Sequence, residues 1–105
     1  MIKVGQMREK DFDAIVPKIS FNHMEEAKKN RVIELCLEAY KMKYDGDLKY
    51  SKDMAQHIKQ IMDNEFPGSW HVIVGTHFGS FVTYEVKSIV LFWLEHIGFL
   101  VFKHG

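Results

Sequence analysis

The chain has 105 residues, enough for one domain with a single apolar core. Hydrophobic residues make up 47% and charged residues 27%, an ordinary globular balance, and 14 Lys plus Arg against 14 Asp plus Glu leave no net charge. The basic excess of a nucleic-acid or anionic-membrane binder is therefore missing, and the longest apolar run, IVLFWL, is too short to span a bilayer.

Residues 1–13 are mixed and charged and are expected to be loosely held, an extension ahead of a domain over 14–105. Lys3, Arg8, Glu9, Lys10 and Asp11 interrupt the start, so it does not read as a signal peptide. Cys36 is the only cysteine, which allows no internal disulfide and predicts an intracellular chain. It falls on the apolar face of a predicted helix, where a small buried hydrophobe explains it better than a nucleophile does.

AIVPKISF, residues 14–21, reads as a short strand that Pro17 confines to an edge. Asn22 offers a helix cap with Glu25 three residues on, and Val32, Leu35, Cys36 and Ala39 follow the i, i+3, i+4, i+7 spacing. This predicts a first helix over about 24–42, stopped near Gly46. Ser51 can cap a second helix over 52–65, with Met54, Ile58, Ile61 and Met62 on one face. Pro67-Gly68 is a turn signal. Strands follow at 70–74, 78–84, 88–94 and 97–103, the last two joined by a tight turn at Glu95-His96. The order is strand, two helices, then strands: an α+β fold with two helices packed on an antiparallel sheet.

An antiparallel sheet ordinarily wets one face and alternates accordingly. Here residues 89–94 and 99–102 are apolar in sequence, so both faces of the last hairpin need cover. Two helices cover one. A second copy of the chain is the simplest cover for the other, because symmetric dimers are the commonest oligomers.

Catalytic and metal patterns are absent. His71 and His77 are the closest of six histidines, but no Cys pair or helical His pair accompanies them, so scattered core or surface roles account for them better. GTHFGS lacks the middle glycine of a dinucleotide loop, no Gly-Lys-Ser/Thr makes a phosphate loop, and Ser80 is in no nucleophile elbow. Asp45 and Asp47 match half a calcium loop with no continuing ligand set, and DGD is more simply a solvated turn. Phe78, Phe81, Trp93 and Phe99 could stack bases, but without a basic excess they fit a core or groove wall better. No enzyme activity, cofactor or metal is expected. An enzyme using Ser80 and a nearby histidine is the rival from another class, separable by Ser80→Ala.

WHVIVGTHFGSFVTYEVK follows the pattern W-H-x-I-V-G-x-x-F-G-S-(aromatic)-V-T-x-E-x-K, and the chain closes on L-x-F-K-x-G at 100–105. Over about 22–105 it strongly resembles the small dynein light chains of type 1, the LC-eight family. KDMAQHIKQIMD resembles the family's second helix, with Asp53, Ala55, His57, Ile58 and Lys59 in register. The resemblance implies a strand-exchanged homodimer. Residues 78–83 would leave their own subunit, join the partner's sheet and accept an extended client segment as a further strand. Phe78, Gly79, Ser80, Phe81, Val82 and Thr83 would form that edge. Gly79 would let a client backbone approach, while Ser80 and Thr83 would keep the empty edge soluble. The same groove would draw on Ser51, Lys52, His77, Tyr84, Ile89, Leu91 and Trp93, and the dimer interface on Lys59, His71, Phe81 and Thr83.

Several positions depart from the family pattern. Tyr84 replaces His, Thr76-His77 replaces a basic residue and Asn, Ser51 replaces Glu, Val86 replaces Thr, His104 replaces a serine, and Glu95 occupies a turn glycine. They imply a divergent member whose clients need not carry a Thr-Gln-Thr core, and no phosphorylation switch at position 104. The implied partners are dynein intermediate chain and other proteins with short linear motifs, in the cytoplasm and cytoskeleton or in the axoneme of a cilium or flagellum. A dynein-independent dimerisation hub and a fixed axonemal subunit are the alternatives.

Overall fold

The computed structural model describes residues 10–105. After a short 3-10 turn at Phe12–Ala14, β1 runs Lys18–Met24, α1 Glu26–Tyr44, α2 Ser51–Glu65, β2 Trp70–Gly75, β3 Ser88–Leu94 and β4 Ile97–Lys103. The four strands form one sheet in the order β1-β3-β4-β2, and each neighbouring pair is antiparallel. The two helices pack on one face of it. Among the described residues, no helix is long and apolar enough to cross a membrane.

The helical spacing read from the sequence is the buried face of α1: Val32, Leu35, Cys36 and Ala39 are almost fully enclosed. Met54, Ile58 and Met62 of α2 are fully enclosed as well. They meet the even residues of β2 and β3 and the odd residues of β4, including Trp70, Val90, Phe92, Leu94, Phe99 and Val101. Period 3.6 on the helices thus meets period 2 on the strands. An Arg31–Glu65 ion pair ties α1 to the end of α2.

Local details differ from the sequence reading. Asn22 does not cap α1; it lies within β1 opposite Val90, and Met24 pairs with Ser88. Pairing with β3 therefore overrides the local cap, and the helix starts at Glu26, with the Glu25 carbonyl accepting from Lys29 N–H at 2.8 Å. Ser51 is the first helical residue rather than the cap; the Asp53 carboxylate reaches back to accept the Tyr50 N–H at 2.8 Å. α1 ends at Tyr44, just before Gly46, whose φ of +91° suits a glycine, and Asp47 N–H bonds back to the Met42 carbonyl at 2.8 Å. Residues 78–84 are not a strand of this sheet; the fourth strand is β1, beginning just after Pro17. Of the expected loose segment 1–13, residues 1–9 lie outside the described residues. Phe12 packs edge-on against Tyr40 and Tyr44, at ring separations of 5.4 and 5.5 Å.

Candidate functional site

The sheet face turned away from the helices is also apolar. Ile89, Leu100 and Phe102 are buried there, with Ile73, Phe78, Val82, Tyr84 and Leu91 packed against them. The alternation explains this. If Val90 and Phe92 face the helices, Ile89, Leu91 and Trp93 must face the other way, and β4 does the same with Leu100 and Phe102. An apolar face of this kind needs cover.

Residues 76–84 run across that face. At one end Gly75 pairs with Gly98; at the other, Glu85 N–H donates to the Lys103 carbonyl at 2.9 Å. These anchors sit at opposite ends of β4, so the segment spans the strand without pairing to it. Phe78 stacks on Trp93, with centroids 6.0 Å and planes 11° apart. Gly98 makes the room: a Cβ there would lie 2.9 Å from the Trp93 ring and 3.1 Å from Phe78. Gly79, by contrast, has open space where a side chain would be. Phe81 is fully exposed, and Ser80, Thr83 and His77 are also on the surface. His77 shares a hydrogen bond with its neighbour, the Thr76 hydroxyl, at 3.2 Å.

A groove of about 270 Å³ follows the segment, lined by Ser80, Phe81, Val82 and Tyr84 on one side and by Phe21, Ile89, Leu91 and Leu100 on the other. The structure therefore brings together most of the residues assigned to one surface from sequence. Ser51 and Lys52 are not among them. They open α2, which packs on the opposite face, and the Lys52 ammonium rests over the Tyr50 ring at 5.8 Å.

Phe21 and Leu100 of the groove, and His23 of the hollow beside it, were not foreseen. Phe21 and His23 of β1 lie on the Tyr84 side, their rings 4.7 Å apart and tilted by 44°, and His23 Nδ1 shares a hydrogen bond with the Tyr84 hydroxyl at 3.2 Å. Beside them a second hollow of about 530 Å³ is lined by Asn22, Met24, Glu25, Val86 and Lys87. Extending the strand reading from Phe21 to Met24 would have put Phe21 and His23 on one face, two residues apart.

Of the residues assigned to the dimer interface, His71 stacks on Phe102 at 5.2 Å and donates from Nε2 to the His104 carbonyl at 2.9 Å. Lys59 bonds the Trp70 carbonyl and Asp63, whose other oxygen accepts the Trp70 N–H at 2.8 Å. Partial desolvation alone would raise the Asp63 carboxyl, but these two donors hold it below the ordinary aspartate value. Burial pushes the Cys36 thiol well up, away from thiolate chemistry. Among the described residues no group of three or more His, Cys, Asp or Glu side chains could hold a metal ion.

Residues 16–104 match the family model described as dynein light chain type 1. The chain belongs to the dynein light chain family. It is similar to the cytoplasmic dynein light chain of Emericella nidulans, at 38% identity over 91 residues, 87% of this chain and 92% of that one. It is also similar to cytoplasmic dynein light chain 1 of Debaryomyces hansenii, at 35% over 89 residues, 85% of this chain and 92% of that one. Among solved structures, the dynein light chain-like domain of a Fasciola hepatica calcium-binding protein superposes with a TM-score of 0.67, covering 93% of this chain and all of that one. At 17% identity that likeness speaks for the fold alone: two helices on a four-stranded antiparallel sheet.

Proposed function

We propose that this dynein light chain is a non-catalytic homodimer that binds short extended partner segments by β-strand addition along residues 78–83 and so dimerises its partners within the dynein motor complex. One observation carries the reading. Residues 78–84 pair with no strand of their own chain, and they border an apolar groove on a sheet face that the chain's own helices do not cover. An open strand edge is normally guarded, and here it carries only Ser80 and Thr83. Backbone pairing supplies general affinity, and the hollows beside Tyr84 select the sequence.

The separation of Ser51 and Lys52 from this groove supports the dimer. In a strand-exchanged pair those residues would meet the groove from the second copy. Phe81, fully exposed in one chain, would gain its cover the same way. The two relatives named cytoplasmic favour the cytoplasm and cytoskeleton as the place of action, with dynein intermediate chain as the expected partner.

Sedimentation and NMR titration with an intermediate-chain segment test the proposal. A dimer whose amide shifts centre on residues 78–84, with one segment per groove, is expected. A single segment should bind at about micromolar strength, because it must be ordered on binding. A monomer at micromolar concentration, or shifts confined to the outer sides of the helices, would sink it.

A further inference from the structure

β1 is an edge strand, paired on one side only, by β3. Six of its seven residues are exposed, only Met24 is buried, and the register slips at Ser20, between the Ile19–Phe92 and Phe21–Leu91 pairs. Met24 fixes its C-terminal end in the core. At the other end, Pro17 can donate no backbone hydrogen bond. The strand nevertheless continues to Lys18, opposite Trp93.

The segment that leads into β1 is tied down at a distance in sequence. Lys10 Nζ lies 2.6 Å from Glu95 Oε1, and the Tyr40 hydroxyl donates to the same oxygen at 2.6 Å. Lys10 also sits over the Tyr40 ring at 5.8 Å, while Phe12 packs on Tyr40 and Tyr44. Glu95 is the first residue of the β3–β4 turn, with a φ of +57° that a glycine would adopt more easily. A side chain kept at such a position needs a reason, and the two bonds to its carboxylate provide one. The group therefore joins three elements: the entry to β1, the C-terminal part of α1 and the turn beside Trp93.

We propose that Lys10, Tyr40 and Glu95 are positioning residues, forming a clasp that holds the exposed half of β1 and, through it, the Phe21–His23 wall of the groove beneath Tyr84. The groove part rests on the strand-addition reading; the clasp itself does not.

Hydrogen exchange on the full-length protein, read by NMR, tests it. In Glu95→Gln, which keeps shape but removes the charge, and in Lys10→Gln, the β1 amides at 18–21 should exchange about fivefold faster while β2 and β4 keep their native rates. The charge-swapped double variant Lys10→Glu/Glu95→Lys should restore much of the protection, because Tyr40 can accept from the exchanged ammonium. Unchanged β1 exchange, or equal acceleration of all four strands, overturns the clasp. An intermediate-chain segment should bind the two single variants about threefold more weakly. Equal binding by native and variant chains overturns the positioning role. If the native chain binds no segment at all, the strand-addition reading fails while the exchange data still decide the clasp.

Discussion

Phe78 lies flat on Trp93 because residue 98, directly across the β3–β4 ladder, is a glycine. The stack pins the start of the groove segment to the sheet and sets where the rest can run. Gly98→Ala would place a methyl group 2.9 Å from one ring and 3.1 Å from the other, so the rings must shift. Overpacking of this kind costs about 1–3 kcal/mol. Urea unfolding should show that loss, and the Trp93 fluorescence of the folded protein should change with it. Gly79→Ala is the control, since open space surrounds its Cβ position; its stability should stay within about 0.5 kcal/mol of native.

Phe81 separates folding from association. It is fully exposed within one chain, so Phe81→Ser should leave the fold's own stability within about 0.5 kcal/mol. If a second copy covers it, the same change should shift sedimentation from dimer to monomer. A dimer as tight as native in that variant would remove Phe81 from the interface.

Core substitution should behave differently. Ile58 of α2 is fully enclosed between the helices and the sheet, and Ile58→Ala should cost about 2–5 kcal/mol through lost burial and a residual cavity. Thermal unfolding followed by circular dichroism checks this. An effect below about 1 kcal/mol would mean that α2 packs more loosely than the structure shows.

Acid should loosen particular joints. Arg31 holds the Glu65 carboxyl below the ordinary glutamate value of 4.5. Lys10, and then the Tyr40 hydroxyl, do the same for Glu95, with His96 adding a smaller pull. A carboxyl depressed in the folded state contributes stability above its unfolded value, and that contribution is lost as pH falls through the folded one. The contribution of these two carboxylates should thus be lost as pH falls below 4.5. Glu65→Gln should be less stable near neutrality and show a shallower acid loss. An identical acid profile would show that the Arg31–Glu65 pair contributes nothing measurable.

The sequence carried the helices well because their signal is local. Val32, Leu35, Cys36 and Ala39 must share a face if the segment is helical at all, and they do. The start of α1 was misread because Asn22 looks like a cap until β3 is there to pair with it. The segment 78–84 is a different case. Its aromatic and β-branched residues suit a strand, yet a strand needs a neighbour, and among the described residues of one chain it has none. The Tyr84–His23 bond spans 61 residues and depends on a register that slips at Ser20, so no local pattern could reveal it. The Glu95 substitution was visible as an oddity in a turn; its partners Lys10 and Tyr40 were not.

Glu95→Gly is the most informative single change, because it sets two effects against each other. Glycine relaxes a turn residue held at φ +57°, which favours the folded state. It also removes the acceptor that Lys10 and Tyr40 share, which frees the entry to β1. The turn belongs to the β3–β4 hairpin at the centre of the sheet, whereas the clasp serves the sheet's edge. Global unfolding should therefore change little or improve slightly, while the β1 amides at 18–21 exchange faster, by about fivefold. The Tyr84 and His23 ring resonances should broaden or move, since the wall beneath Tyr84 is no longer fixed at both ends. Two-dimensional NMR with hydrogen exchange reads all three in one sample. A more stable protein with β1 exchange at the native rate would mean that Met24 and the β1–β3 ladder hold the strand unaided.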